Sequence, residues 1–273
     1  MAKRNERIAR KYKHFTERDG LIVQAVFFAR YLMNRQIGRL FFRSADSSAC
    51  RTRTRILFDK GYLRKRFAFP NQPDVFYLGL QGRRYIAKAL NYPQEEVDKI
   101  AGVEGEGDAS SLAMNHELAV ADLYVNAALE CRQHGWTLEW QNARMLELKR
   151  LGVQPDACLR IPEVGRQAFI ELTIALPTKE EMGRKLAGYK EVLEAYGGVP
   201  ILWFAPTEAK LGQLQRLAEG WIYRDWILFG LLAGTEGFLT RKMWRWSESA
   251  TPVRFIAVPE GGEDDEGTPD PAL

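Results

Sequence analysis

The sequence predicts an α/β chain of two domains, a small helical domain containing a β-hairpin followed by a larger mixed-sheet domain. Three observations predict it. The charge is split, with 18 Lys and Arg against 5 Asp and Glu in residues 1–70, a local net of +13, within a chain whose total is only +4. The apolar period changes from 3.6 to 2 after Gly61, where helices give way to strands. A glycine- and acid-rich stretch, Gly102 to Ser111, separates this basic part from a region in which strand and helix patterns alternate.

The bulk numbers narrow the function classes. A chain of 273 residues with 46% hydrophobic and 27% charged side chains has an ordinary globular composition. No apolar run approaches the ~20 residues that a membrane helix needs. Residues Met1 to Arg7 are charged and lack the apolar stretch of a secretory signal. Cys50, Cys131 and Cys158 are far apart and have no metal-site spacing, which suits a reducing compartment. A soluble, cytoplasmic protein without membrane contact is expected. The basic first part beside an acidic remainder, net −9, is what a nucleic-acid-binding module joined to a partner domain carries.

Residues 1–15 read as a basic arm and residues 16–92 as the first domain. Thr16 opens a helix, with Asp19 at the capping-box position, and Ile22, Ala25, Val26 and Ala29 form its inward stripe. Asn34 is expected to cap a second helix with Ile37, Leu40 and Phe41 inward. Ser44 or Asp46 starts a third, Ser47 to Lys60, stopped by Gly61. Tyr62 to Phe69 reads as a strand, Pro70 to Asp74 as a turn and Val75 to Leu78 as the return strand. A further helix covers about Gln81 to Leu90. Three short helices and a basic hairpin make a winged helix-turn-helix.

On a wheel of the third helix, Ser44, Ser48, Arg51 and Arg55 share one face, with Ser47 at its edge; Ala49, Cys50, Ile56 and Leu57 oppose them. An arginine can donate two bonds to a guanine edge, and serine can bond phosphate or base. Arg53 falls within the inward face and must snorkel or pair. Arg64, Lys65 and Arg66 on the hairpin suit phosphate contacts. Double-stranded DNA is therefore the expected partner, and Ser47, Ser48, Arg51, Arg55, Arg64, Lys65 and Arg66 are the candidate DNA-binding residues. A solvated basic face is the alternative.

Residues 93–110 are the expected linker and 111–259 the second domain. A long helix runs from about Leu112 to Gln133. Thr137 to Leu146, Val153 to Ile161 and Gln167 to Leu176 read as strands. Thr178 and Glu181 form a capping box for a helix ending at Gly197 and Gly198. Pro200 to Ala205 is a buried strand and Glu208 to Glu219 a helix, giving an αβββαβα order with helices expected on both faces of a mixed sheet. Residues 221–258 are aromatic-rich and show no clear period; residues 260–273 hold six acids and no base, a composition with little to bury.

Three acids stand out in this domain. Asp156 begins the strand of Ala157, Leu159 and Ile161. On the next strand Ile170, Leu172 and Ile174 share one face, leaving Glu171 and Thr173 on the other, and Glu117 on the long helix is a third candidate. Acids on adjacent strands can hold Mg²⁺ or Mn²⁺, and such a cation activates water against a phosphodiester.

Pro155-Asp156 followed by Glu171-Leu172-Thr173 resembles the Pro-Asp…(Asp/Glu)-x-Lys signature of the restriction-endonuclease-like superfamily. Thr173 replaces the lysine. Lys185-Leu186-Ala187-Gly188-Tyr189 looks like that superfamily's Gln-x-x-x-Tyr helix motif, and the resemblance makes Lys185 a substitute catalytic lysine. Taken whole, the chain is similar to the replication-relaxation family of plasmid and mobile-element proteins. The similarity runs from Thr16-Glu17-Arg18-Asp19 through Asn115-His116-Glu117-Leu118-Ala119-Val120-Ala121-Asp122, Pro155-Asp156 and Phe169-Ile170-Glu171 to Lys185–Tyr189. It implies DNA binding in plasmid replication, relaxation or transfer. Family members often carry an acid where Thr173 stands, so one charge is missing from the metal site.

Structural roles are the competing reading: Glu171 paired with Lys185 or Arg184, Asp156 bonding nearby amides in a turn, His116 and Glu117 on an exposed helix. Three function classes follow. The preferred is a DNA-binding protein of replication-relaxation type whose second domain is a degenerate nuclease. A metal-dependent endonuclease would instead use Glu117, Asp156 and Glu171 as metal ligands and Lys185 in catalysis. A non-enzymatic adaptor would recruit a relaxase, a replication protein or a second copy of itself, and an exposed patch of Trp221, Trp226, Trp244 and Trp246 would mark it.

Overall fold

The computed structural model describes residues 14–66, 74–102, 111–246 and 251–258. The fold is mixed α/β, with a three-stranded antiparallel sheet and a five-stranded mixed sheet. The chain divides into two compact units, Met1–Val125 and Asn126–Leu273.

In the first unit, α1 (Glu17–Ala29) begins with the expected capping box. The Thr16 amide and hydroxyl both donate to Asp19 Oδ2, at 2.6 and 2.9 Å. Its stripe of Ile22, Ala25, Val26 and Ala29 is buried. A short strand, β1 (Leu32–Met33), follows, and then α2 (Asn34–Phe41). Asn34 is the first residue of α2 rather than its cap. The Met33 amide donates instead to Gln36 Oε1 at 2.8 Å, and Asn34 Oδ1 accepts from the Thr54 hydroxyl at 2.8 Å.

Helix α3 (Ser48–Asp59) is capped by Ser47, not by Ser44 or Asp46; the Ser47 hydroxyl accepts from the Cys50 amide at 3.3 Å. Cys50 and Leu57 are buried as expected, but Ala49 is exposed. Gly61 takes a positive φ of 72° that stops the helix, as expected. Strands β2 (Leu63–Arg66) and β3 (Val75–Leu78) pair antiparallel with Lys65 opposite Phe76. The strand and turn expected over residues 67–73 lie outside the described residues. Strand β1 pairs with the other edge of β3.

After α4 (Leu80–Ala89) comes α5 (Gln94–Ala101), inside the stretch expected to be linker. Val97 and Ile100 are buried there, and Asp98 pairs with Arg83 at 2.9 Å. An i, i+3 apolar pair and one ion pair suffice to dock a two-turn helix that composition alone reads as polar. Residues 103–110 of that stretch lie outside the described residues. Helix α6 (Ser111–His134) follows; its Met114 and Leu118 pack with Met33 and Val75, so its first half belongs to the first unit.

The second unit is built on the sheet order β4-β5-β6-β7-β8. Its strands are β4 (Glu139–Asn142), β5 (Ala157–Ile161), β6 (Arg166–Leu172), β7 (Ile201–Ala205) and β8 (Ile227–Leu231). The β4–β5 and β5–β6 pairs are antiparallel, and β6–β7 and β7–β8 are parallel. The first three strands are shorter than the periodicity predicts. Asn142 folds back to accept the Arg144 amide on its side chain at 3.0 Å, ending β4 in a turn, and Pro155 has no N–H to give the ladder.

Helix α7 (Lys179–Tyr196) carries the expected Thr178–Glu181 capping box, and with α8 (Glu208–Ala218) it covers one sheet face. That face joins Cys158, Phe169, Trp203 and Phe229 to Met182, Leu186, Tyr189, Val192, Leu211 and Leu214. Gly188 permits the contact of α7 with the 149–153 turn, since a Cβ there would stand 2.8 Å from the Gly152 carbonyl carbon. On the other face the rings of Phe238 and Trp244 lie 5.5 and 4.9 Å from Phe204. Phe238 and Trp244 are fully buried. The four tryptophans whose exposure would have marked an adaptor do not form an exposed patch: Trp244 is core, and Trp221, Trp226 and Trp246 are half-buried.

Candidate functional site

The DNA-facing candidates occupy one side of α3 and the start of the hairpin. Ser48, Arg51 and Arg55 are exposed, as is Ser44 before the helix. Arg55 stands 3.9 Å from Asp59 one turn on, an exposed pair of little energetic weight. Ser47 is half-buried and spends its hydroxyl on the cap. Arg64 is exposed, whereas Lys65 and Arg66 are half-buried. Lys65 reaches across the hairpin to Asp74 at 3.4 Å and lies 5.4 Å from the centre of the Phe58 ring.

Arg53 points the opposite way. It is 9% exposed, and its Nε and Nη2 both donate to the Asp19 carboxylate, which is 0% exposed. Its Nη2 also donates to the His14 carbonyl at 2.9 Å. This pairing resolves the inward arginine of the helical wheel. Thr54, which the wheel did not single out, ties α3 to α2 through its bond to Asn34.

In the second unit the structure brings Asp156, Glu171 and Lys185 together. Glu171 lies on the α7 side of β6, opposite Trp203 in the parallel register, and is fully buried. Lys185 Nζ donates to its Oε2, and the Tyr189 hydroxyl donates to its Oε1 at 2.6 Å. Asp156 accepts the Leu172 amide on Oδ2 at 2.7 Å, which holds it against the end of β6. Burial pushes the Glu171 carboxyl up to about 7, against the pull of Lys185 and with help from the Asp156 charge. For Lys185, burial works to lower the ammonium, but Glu171 and Asp156 outweigh it and the net direction is up.

Thr173 is buried on the same side of β6, where its hydroxyl accepts the Trp203 indole N–H at 2.9 Å. The position where the endonuclease-like signature carries lysine is thus filled by a core contact, and Lys185 supplies the ammonium from α7 instead, 5.3 Å from the Trp203 ring centre. Trp203 carried no warning in the sequence; the β6–β7 register sets it opposite Glu171, from where its indole reaches Thr173. Glu117 lies in the first unit, where it accepts from Arg30 at 2.6 Å.

As a cation site the donor set is poor. Both Glu171 oxygens and one Asp156 oxygen already accept hydrogen bonds, and no group of three or more His, Cys, Asp or Glu suited to a metal occurs among the described residues. A Mg²⁺ or Mn²⁺ ion takes oxygen ligands in near-octahedral array, and here it would first have to displace Lys185 from Glu171. The residues as arranged do not fit it.

A helix with outward-facing arginines beside a short antiparallel strand pair, joined in one chain to a mixed sheet with an acid–lysine cluster, defines a two-unit α/β protein. The model of the replication-relaxation family matches residues 28–200, and the chain belongs to that family. Membership supports a role connected with replication. No curated protein and no solved structure matches the chain. No helix among the described residues is long and apolar enough to cross a membrane.

Proposed function

We propose that this protein binds duplex DNA through α3 and the β2–β3 hairpin, with its first unit acting as a winged helix. On this reading it serves the replication, transfer or regulation of a plasmid or other mobile element. One observation carries the proposal. Three arginines alternate along α3, and the middle one, Arg53, is held inward by Asp19 while Arg51 and Arg55 face outward. The inward bond fixes the rotation of the helix, so the outward pair is presented in a set direction, as base-edge recognition requires. The second unit acts on this reading as a scaffold, because its acid–lysine cluster is internally bonded.

The test is titration of the full chain against the duplex it selects from a random pool and against unselected duplex. Arg51→Ala or Arg55→Ala is expected to cost about 1–3 kcal/mol on the selected duplex and to blunt discrimination. Lys65→Ala is expected to weaken both duplexes alike. If both arginine variants bind and discriminate as the unaltered chain does, α3 is not the reading element.

A second reading, DNA cleavage by the second unit, is favoured by the placement of Lys185 against Glu171 beside Asp156. Plasmid DNA incubated with the chain and Mg²⁺ or Mn²⁺ separates the two. Robust nicking that disappears in both Asp156→Ala and Lys185→Ala would replace the scaffold reading. Equal, negligible nicking by all three supports it.

A further inference from the structure

Within the first unit, the face of α6 that packs on β1 and β3 also carries two acids. Met114, Glu117, Leu118 and Asp122 fall at i, i+3, i+4 and i+8, one stripe of the helix. Met114 and Leu118 pack against Met33 and Val75, while the acids reach the turns that enter and leave β1. Glu117 takes the turn before it. Arg30 there has φ 64° and ψ −47°, and across it the Tyr31 amide donates to the Ala29 carbonyl at 2.8 Å. This is a γ-turn of the rare, strained sense, at a residue that has a Cβ. The Arg30 Nε is buried without a hydrogen-bond partner among the described residues. Its Nη1 donates to Glu117 at 2.6 Å, and the guanidinium lies 5.4 Å from the Tyr31 ring centre. Strain of this kind persists only where the surroundings fix it, and Glu117 is the one ion-pair partner of Arg30 among the described residues.

Asp122 takes the turn after β1. Arg35 Nη2 donates to its Oδ2 at 3.0 Å and Gln36 Nε2 to its Oδ1 at 2.9 Å. Gln36 is fully buried, and both heavy atoms of its amide are engaged: Nε2 also donates to the Leu118 carbonyl at 3.2 Å, and Oε1 accepts the Met33 amide. Beside them in the same turn of α2, Asn34 is bonded to α3. Its Oδ1 accepts from the Thr54 hydroxyl at 2.8 Å, and its carbonyl accepts from the Cys50 thiol at 3.4 Å. Three consecutive residues of α2 thus hold α3 and α6 at once. The buried Gln36 amide makes the link stiff, because a polar group left unpaired there costs its full desolvation.

We infer that Glu117 and Asp122 are positioning residues for DNA recognition. They hold the two turns around β1, and through Asn34 and Thr54 they fix the orientation in which α3 presents Arg51 and Arg55. Neither acid touches DNA; Glu117 acts through the Arg30 turn and Asp122 through α2. The inference rests on the DNA-binding reading of α3. It gives residues 115–122 a task in telling duplexes apart rather than in attracting them. Removing an acid from a basic unit raises its net charge, so general attraction to phosphate is not what such a change takes away.

The experiment titrates the full chain against its selected duplex and an unselected one, well below the thermal midpoint of every variant. Asp122→Asn leaves one acceptor oxygen where two are used, and Glu117→Met keeps the stem but removes the acceptor. Each is expected to lower the ratio of the two affinities roughly threefold to tenfold, with binding to the unselected duplex held or raised. Arg35→Met cuts the same strap at a side chain 56% exposed, so it serves if a change on α6 prevents folding, and its ratio is expected to fall as well. Thr54→Val removes the hydroxyl that bonds α3 to α2, so Asp122→Asn is expected to cost less in that background than alone. An unchanged ratio in Asp122→Asn, Glu117→Met and Arg35→Met overturns the inference, whatever happens to the midpoints, and leaves the acids a part in stability alone. A loss of equal size with and without Thr54→Val overturns the route through Asn34. A full chain in which Arg51→Ala and Arg55→Ala change nothing overturns the underlying reading of α3 instead.

Discussion

Asp19 and Glu171 are both fully buried carboxylates, and their surroundings drive them in opposite directions. Burial works against the Asp19 charge, but the bonds from Arg53 and Thr16 outweigh it and hold its carboxyl below the usual range. At Glu171 burial prevails, and the proton leaves only near pH 7, against an ordinary value of 4.5. The proton is thus bound more tightly in the folded chain than in the unfolded one. The stability this contributes is complete below about pH 4.5 and is lost as pH rises through about 7. Replacing Glu171 with Gln, which cannot ionise, is expected to flatten that part of the profile by up to about 1.4 kcal/mol per pH unit. Denaturant unfolding at several pH values checks it, and an identical slope in the two proteins would refute the assignment. At this scale the sequence was half legible. Thr16 and Asp19 are three residues apart and read as a cap, and Arg53 read as a misfit, but its partner lies 34 residues away, beyond any local period.

Elements with strong punctuation stand where they were expected: α1 and α7 behind their capping boxes, α3 before Gly61, β7 as the apolar run after Pro200. Those without it were missed. Strand β1 is two residues long, too short for alternation to show, and β8 begins in an aromatic-rich stretch without a period of two. Helix α5 was taken into the linker because only Val97 and Ile100 mark its inner face. A long helix read from sequence likewise does not reveal which unit each half packs on, and the first half of α6 packs on the first unit. Met114 and Leu118 are 2% and 8% exposed against Met33 and Val75. Burying such side chains is worth about 1.5–3 kcal/mol each. A fragment of residues 1–125 is therefore expected to be at least about 3 kcal/mol more stable than one of residues 1–102. Equal denaturation midpoints for the two fragments would place the boundary back in the glycine- and acid-rich stretch.

Over the whole molecule, a net charge of +4 conceals +13 in residues 1–70 and −9 in the remainder. Such a distribution draws a polyanion to one end of the sequence and discourages it at the other. The fold class and the basic surface were legible because charge and periodicity are carried by many residues at once. For the acid–lysine cluster the sequence offered Glu171 paired with Lys185 or Arg184 beside a metal-site reading, and the contact from α7 to β6 selects Lys185. The central claim concerns where DNA sits, and amide hydrogen exchange of the full chain with and without a bound duplex measures that directly. Protection on adding DNA is predicted in α3 and in β2–β3, while β5, β6 and α7 around Glu171 exchange as before. Protection confined to β5, β6 and α7, with α3 unchanged, would contradict the account.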